Sequence, residues 1–227
     1  MSSINYVKNS AKKNQAEFKQ LNLFKDIMVI IKDPLPEEYD LKTILKKIEN
    51  NIPRHLFNDL DIVYVGAFKE LKARQVESAY MDGAIYLSNE QPSEENIYNS
   101  IIHELAHNVE KVFEYEVYGD DKILEEFLSK RKQLRSILES NNLYCDSTLY
   151  LRPELTRDFD NFLFKTVGYD RLSLLSVNLF ISPYSATSLR EYFASGFEHY
   201  FADENPEYIK KISPKLYNKI IALTKIY

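Results

Sequence analysis

Cysteine is nearly missing from this chain: Cys145 stands alone among 227 residues, in a Tyr-Cys-Asp stretch. One thiol excludes an internal disulfide framework, and with no second cysteine at ligand spacing it excludes a cysteine-based zinc site. Cys145 reads as a plain thiol. Long apolar runs are missing too, since no stretch approaches the roughly 18 residues of a membrane helix, and no membrane partner is expected. The N-terminal Met-Ser-Ser-Ile-Asn-Tyr-Val-Lys-Asn-Ser has no apolar run behind its charge, so no secretory signal is visible. The expected location is the cytoplasm, or outside the cell by a route or signal not visible in this sequence. An excess of basic charge is also lacking. Against 34 Asp and Glu there are 29 Lys and Arg, a net charge of -5 with no Lys/Arg-dominated block, and nucleic acid is therefore not an expected partner.

What is present has globular proportions, with 44% hydrophobic residues, no internal repeat and no low-complexity tract. Residues 1–22 are polar and read as a flexible or helical lead-in. Ile27-Met-Val-Ile-Ile-Lys32, closed by Asp33-Pro34, has strand length and composition. Leu41, Ile44, Leu45 and Ile48 then recur at helical spacing until Pro53. Asp61 to Phe68 and Tyr80 to Ser88 read as a second and a third strand, and after Pro92-Ser93 the pattern turns helical to about Tyr118. Beyond Gly119 no strand is apparent. Ile123 to Leu138, pieces of 153–180, Thr187 to Phe201 and Pro214 to Ile226 read as helices. The expected fold class is α+β and zincin-like: residues 23–118 form a subdomain with a small mixed sheet and the central helix, and 119–227 form a mainly helical subdomain.

The central helix carries the chemistry. Ile101-Ile-His103-Glu104-Leu-Ala-His107-Asn-Val109 contains His-Glu-x-x-His, which on a helix puts two imidazoles on one face with a carboxylate beside them. Ile97, Ile101, Leu105, Val109 and Val112 fall on one side, while His103 and His107 face the other way with Asn96, Ser100 and Glu114. Neutral imidazoles suit Zn²⁺, and catalytic zinc sites take three protein ligands and leave one position open. Glu104, one residue past the first ligand, is placed to act as general base and then acid on the attacking water and the leaving amine. One zinc per chain is expected. A solvent-facing pair of histidines with an incidental Glu104 contact is the bland alternative.

The third ligand is not fixed by the motif. Glu110 and Phe113 occupy the places of the Gly and His that a metzincin would need. Glu125 or Glu126, in Leu124-Glu-Glu-Phe-Leu128, lies at a plausible spacing, but Asp120, Asp121, Lys122, Lys130 and Arg131 around it read as a solvated charged face. Glu191 opens a helix in which Ala194, Ser195 and Gly196 would let the backbone approach the His helix. Ser188-x-x-Glu191 is also a capping box, and capping and ligation can coexist at a helix start. Both positions stay open on the residues alone.

His103-Glu-Leu-Ala-His107, then Pro183-Tyr184, then Glu191-Tyr-Phe-Ala resembles the catalytic-domain family of anthrax toxin lethal factor, to which the Pro-Pro endopeptidases belong. The resemblance covers about residues 25–227 in element order, and its specific part is these three motifs. It implies zinc held by His103, His107 and Glu191, with Glu104 as the base and Tyr184 assisting catalysis. A phenol there would donate to the oxyanion formed at the scissile carbonyl. Two departures stand out. The interval from His107 to Glu191 is longer than the family's, which implies an inserted helical segment around 120–165, and Ser195 stands where the family tends to place a second acidic residue.

The implied function is zinc-dependent endopeptidase activity on a protein or peptide substrate, in a cleft between the subdomains, with Tyr80 to Ser88 as the edge strand that pairs with an extended peptide. The rival is a catalytically inactive zincin-like module that binds a protein partner. His199 reads as a packing residue or a neighbour of the site, and His55 as unrelated to it. Oligomeric state and cleavage specificity are not legible.

Overall fold

Alternation builds the first elements. In β2 (Ile27–Ile31) Ile27 and Val29 are buried while Met28 is 40% exposed, and in β3 (Ile62–Gly66) Val63 and Val65 are buried in the same rhythm. In this computed structural model residues 19–202 and 206–226 are described. By packing they form two units, one of residues up to 51 and 59–101, the other of 52–58 and 102 onward. The chain is α+β, with a five-stranded sheet and ten α-helices among the described residues.

The first unit holds the sheet, in the order β1-β2-β3-β5-β4, with β1 (Lys19–Leu23), β4 (Ser78–Met81) and β5 (Ala84–Ser88). β2, β3 and β5 run parallel, and β1 and β4 are antiparallel at the two edges, so the sheet is mixed. α1 (Leu41–Asn51) follows β2 and buries Leu41, Ile44, Leu45 and Ile48, the four residues whose spacing marked it. α2 (Lys69–Arg74) is a short helix after β3.

Two strand expectations need correction. The polar lead-in expected over 1–22 overlaps a strand: Lys19–Leu23 is β1, paired from Lys19 opposite Ile31 to Leu23 opposite Ile27. Residues 1–18 lie outside the described residues. The run 80–88 is not one edge strand but parts of two, turned at Asp82-Gly83 with φ of 50° and 81°. Both central residues at positive φ make the tight hairpin turn that Asp-Gly favours. The edge strand is therefore β4, and β5 lies inside the sheet.

α3 (Glu94–Val112) starts at Ser93, whose Oγ accepts from Asn96 N at 3.1 Å, with Glu94 and Glu95 in the first turn where the helix dipole favours them. It stops at Phe113, and α4 (Glu114–Tyr118) continues as a separate turn, so the helix expected to reach Tyr118 is in two pieces. The boundary between the units crosses α3 after Ile101, and the His-Glu-x-x-His turn belongs to the second unit.

That unit is helical, with α5 (Lys122–Ser140), α6 (Arg157–Asn161), a π-helical segment (Phe162–Val167), α7 (Tyr169–Leu175), α8 (Leu189–Ala202), α9 (Pro206–Ile212) and α10 (Pro214–Thr224). No strand follows Ser88 among the described residues. Lys130 and Arg131, expected on a solvated face, are instead 5% and 1% exposed. Arg131 lies over the Phe159 and Phe127 rings, 4.0 and 4.9 Å from their centroids, and donates to Leu149 O and Thr187 O at 3.0 and 2.7 Å. Stacking and carbonyl acceptors stand in for water around the guanidinium. Gly196 also acts elsewhere than expected: a Cβ there would lie 2.3 Å from Leu216 Cδ2, so the glycine admits α10, not the His helix.

Candidate metal centre

His103 and His107 sit one turn apart on α3, and their Nε2 atoms turn toward the carboxylate of Glu191 in the first turn of α8. Glu191 Oε2 is 3.1 Å from His103 Nε2, and Oε1 is 3.7 Å from His107 Nε2. One donor atom from each of the three residues lies within 4.8 Å of the others. The local reason is visible at the start of α8. Ser188 Oγ takes the backbone N–H of Glu191 at 3.1 Å, so half of the capping box is made, while the carboxylate is turned to the imidazoles.

Each imidazole is backed at its other nitrogen. His103 Nδ1 is 2.9 Å from Glu198 Oε2, and His107 Nδ1 is 3.5 Å from Glu110 Oε2. Glu110 is itself held by the Tyr118 hydroxyl, and by Arg190 Nε at 3.0 Å, which also lies 3.2 Å from His107 Nδ1. Glu198 can accept a proton from His103 Nδ1, which turns the ring's Nε2 to the Glu191 side where a metal would bind. At His107 Nδ1 the donor is Arg190 Nε, with Glu110 farther off at 3.5 Å. Glu191 and Glu198 lie seven residues apart, two turns on one face of α8, and grip opposite edges of the same ring.

The cluster carries more carboxylates than cations. Burial opposes a charge on His103, yet Glu191, Glu198 and Glu104 push its pKa up to about 10. Burial pushes Glu191 up, but His103, His107 and Arg190 outweigh it and hold the carboxyl below its usual range. Such a cluster attracts positive charge. Bonds of about 2.0–2.2 Å to a tetrahedral Zn²⁺ separate ligand atoms by roughly 3.3 Å; the two Glu191 oxygens lie 3.1 and 3.7 Å from the imidazole nitrogens, and the three ligand atoms within 4.8 Å of one another. Two imidazoles and one carboxylate are also the donor set of a three-ligand catalytic zinc site, so the residues fit the ion.

Glu104 is 6% exposed and makes its charge felt at both His103 and Tyr184. Tyr184 opens a 3₁₀ turn, Tyr184–Ala186, with 36% of its surface exposed. Burial, then Glu191, Asp160 and Glu104, push its phenol well above the usual tyrosine range, so it stays a proton donor. The loop that carries it is tied to α8 through Ser182 Oγ, 3.3 Å from Ser195 Oγ. Ser195 thus anchors the Tyr184 loop to α8.

Glu126, the other candidate ligand, serves a different purpose. Its Oε1 accepts from Tyr192 Oη at 2.9 Å and Leu216 N at 3.1 Å, and its Oε2 from Lys215 N at 2.8 Å, capping the first turn of α10. Glu125 is exposed. His199 packs its ring on Tyr208 at 5.6 Å, and His55 Nε2 lies 2.8 Å from Leu223 O, so neither joins the cluster. Sequence reasoning passed over Glu198, Glu110, Tyr118 and Arg190. The two-turn spacing from Glu191 to Glu198 was an available signal, as was Glu110 three residues after His107.

Comparison with protein-family models, curated proteins and solved structures finds no match to this chain. No helix among the described residues is long and apolar enough to cross a membrane.

Proposed function

We propose that this chain is a zinc-dependent endopeptidase of zincin type, resembling the lethal factor catalytic-domain and Pro-Pro endopeptidase family, with a protein or peptide substrate. The observation that carries the reading is the convergence of His103, His107 and Glu191, with Glu104, the residue after His103, buried. In this reading His103 Nε2, His107 Nε2 and the Glu191 carboxylate hold one zinc. When bound, the ion supplies Lewis acidity, which polarises the scissile carbonyl and makes a water molecule more acidic. Glu104 accepts a proton from the attacking water and returns it to the leaving nitrogen. Tyr184 donates a hydrogen bond to the oxygen on which negative charge develops. Glu198 fixes the tautomer and tilt of His103, and Arg190, itself held by Glu110, fixes the tilt of His107.

Elemental analysis of the purified chain tests the first half, with about one zinc per chain expected in wild type and none retained by His103→Ala. Cleavage of a peptide pool tests the second half. Glu104→Gln should keep the metal and the fold while its activity falls by about a thousandfold or more. A zinc-loaded wild type that cleaves nothing would leave a binding module in place of an enzyme.

A further inference from the structure

Three aromatic rings lead away from the candidate centre. Tyr184 packs edge-on against Tyr169, with centroids 6.3 Å apart and planes at 78°, and Tyr169 packs against Phe164 at 5.4 Å. The Tyr184 end lies beside the candidate centre, for its loop is tied through Ser182 Oγ to Ser195 Oγ, one helical turn beyond Glu191, while the far end, Phe164, is 51% exposed. Exposed apolar surface continuous with a site marks a place where a ligand is held.

The chain is built to hold this row. Phe162, Leu163 and Val167 anchor the π-helical segment in the core and leave Phe164 outward. Gly168 follows at φ 80°, a conformation that L side chains rarely adopt, although a Cβ there would meet nothing within 4 Å. The glycine is therefore required by the backbone and not by crowding. Its turn starts α7 and brings Tyr169 back against Phe164, while Tyr169 Oη reaches Asp160 Oδ1 at 3.3 Å. π-helical turns occur often at functional sites.

We propose that Phe164, Tyr169 and Tyr184 form a substrate shelf that takes a bulky apolar or aromatic side chain of the peptide close to the scissile bond. This assignment rests on the endopeptidase reading. The two ring spacings put Phe164 within about 12 Å of Tyr184, the length of three to four residues of extended peptide. The selected residue therefore lies within four positions of the cut. Edge-to-face and tilted rings offer both faces and edges, which suits a phenyl or a branched aliphatic group.

The test compares wild type, Phe164→Ala and Tyr169→Phe on a pool of random dodecapeptides, with the products sequenced and folding checked by circular dichroism. Wild type should favour Phe, Tyr or Leu at one position within four residues of the cut. Phe164→Ala should lose that preference by about tenfold, read as the ratio of cleavage rates for peptides with Phe and with Ala at that position. Tyr169→Phe keeps the ring and should keep the preference. An unchanged preference in Phe164→Ala, or none in wild type, overturns the shelf. If wild type cleaves no peptide, the endopeptidase reading fails separately. The shelf is then judged by fluorescence anisotropy with Glu104→Gln and fluorescein-labelled dodecapeptides carrying Phe or Ala at a fixed position. Tighter binding of the Phe pool that disappears on adding Phe164→Ala supports the shelf, and equal binding of the two pools overturns it.

Discussion

Glu126 and Glu191 are both helical glutamates that follow the His-Glu-x-x-His turn, and both qualify from the sequence as a third zinc ligand. In the folded chain they do different work. At the α5–α10 junction the carboxylate of Glu126 meets two backbone N–H groups and a phenol, donors that fix it as a helix cap. At the α3–α8 junction Ser188 has already taken the backbone amide of Glu191, and the carboxylate meets two imidazoles. The role of a carboxylate is set by the donors around it and not by its spacing from a motif. The α5–α10 junction is built for stability, and the α3–α8 junction collects negative charge that a cation can neutralise.

Exchanging the outcomes of two substitutions would break the comparison. Glu191→Gln is expected to weaken zinc binding by about a thousandfold, as loss of one of three ligands does, while the helical circular dichroism persists. Glu126→Ala should leave zinc affinity as in wild type and cost about 1–2 kcal/mol of stability, the worth of a helix cap, seen as a lower melting temperature. Zinc loss in Glu126→Ala with retention in Glu191→Gln would reverse the assignment.

The legible and the illegible parts divide along the same line. The His-Glu-x-x-His turn, the α1 face and the Ser93 cap lie within single helices, so periodicity and local chemistry reach them. The split of 80–88 was legible as well, because Asp82-Gly83 is a strong hairpin signal inside a run of strand residues. β1 was not, since polar Lys19 and Gln20 form a strand only because β2 offers them a partner. Arg131 looks like a surface charge until the chain brings Phe159 under it, and the spacing that puts Glu198 on the face of Glu191 does not reach to His103, 95 residues earlier. Interactions with distant partners are where a sequence read by itself runs out.

Glu198 sharpens the comparison at the α3–α8 junction. Glu198→Gln removes the charge behind His103 but keeps a group of the same shape, and it should weaken zinc binding by about 10- to 100-fold without changing the melting temperature of the metal-free protein by more than a few degrees. Competition with a chelator reads this directly. An unchanged affinity would reduce Glu198 to a packing residue.

Lys130 probes the other junction. Its ammonium is buried, donates to Leu179 O and Ile212 O at 2.5 and 2.6 Å, and burial outweighs nearby Glu126 to bring its pKa down to about 8. The unfolded chain, with an ordinary lysine, binds more protons between pH 8 and about 10.5, so stability rises with pH in that window and the full penalty applies below pH 8. From pH 8 to 10 the gain is about 2 kcal/mol. Above pH 10 the buried Tyr192, whose phenol is pushed up by burial and by Glu126, begins to oppose it. Urea unfolding of wild type and Lys130→Met across pH 7–10 isolates the effect as the difference between the two slopes. Parallel slopes would mean that Lys130 titrates like a surface lysine.

The smallest effect decides between two readings of one glycine. If Gly196 serves the α8–α10 contact, Gly196→Ala forces its methyl against Leu216, whose Cδ2 and Cγ would lie 2.3 and 2.9 Å away in a side chain with no exposed surface. Overpacking of this kind costs about 1–3 kcal/mol, and alanine returns up to about 1 kcal/mol of helix propensity, so a net loss near 1 kcal/mol is expected with zinc affinity intact. If the glycine instead serves the approach of α8 to the His helix, Gly196→Ala weakens zinc binding and spares the melting temperature. Measuring both quantities on one variant separates a packing contact from a metal-site contact at a position where the sequence alone favoured the second.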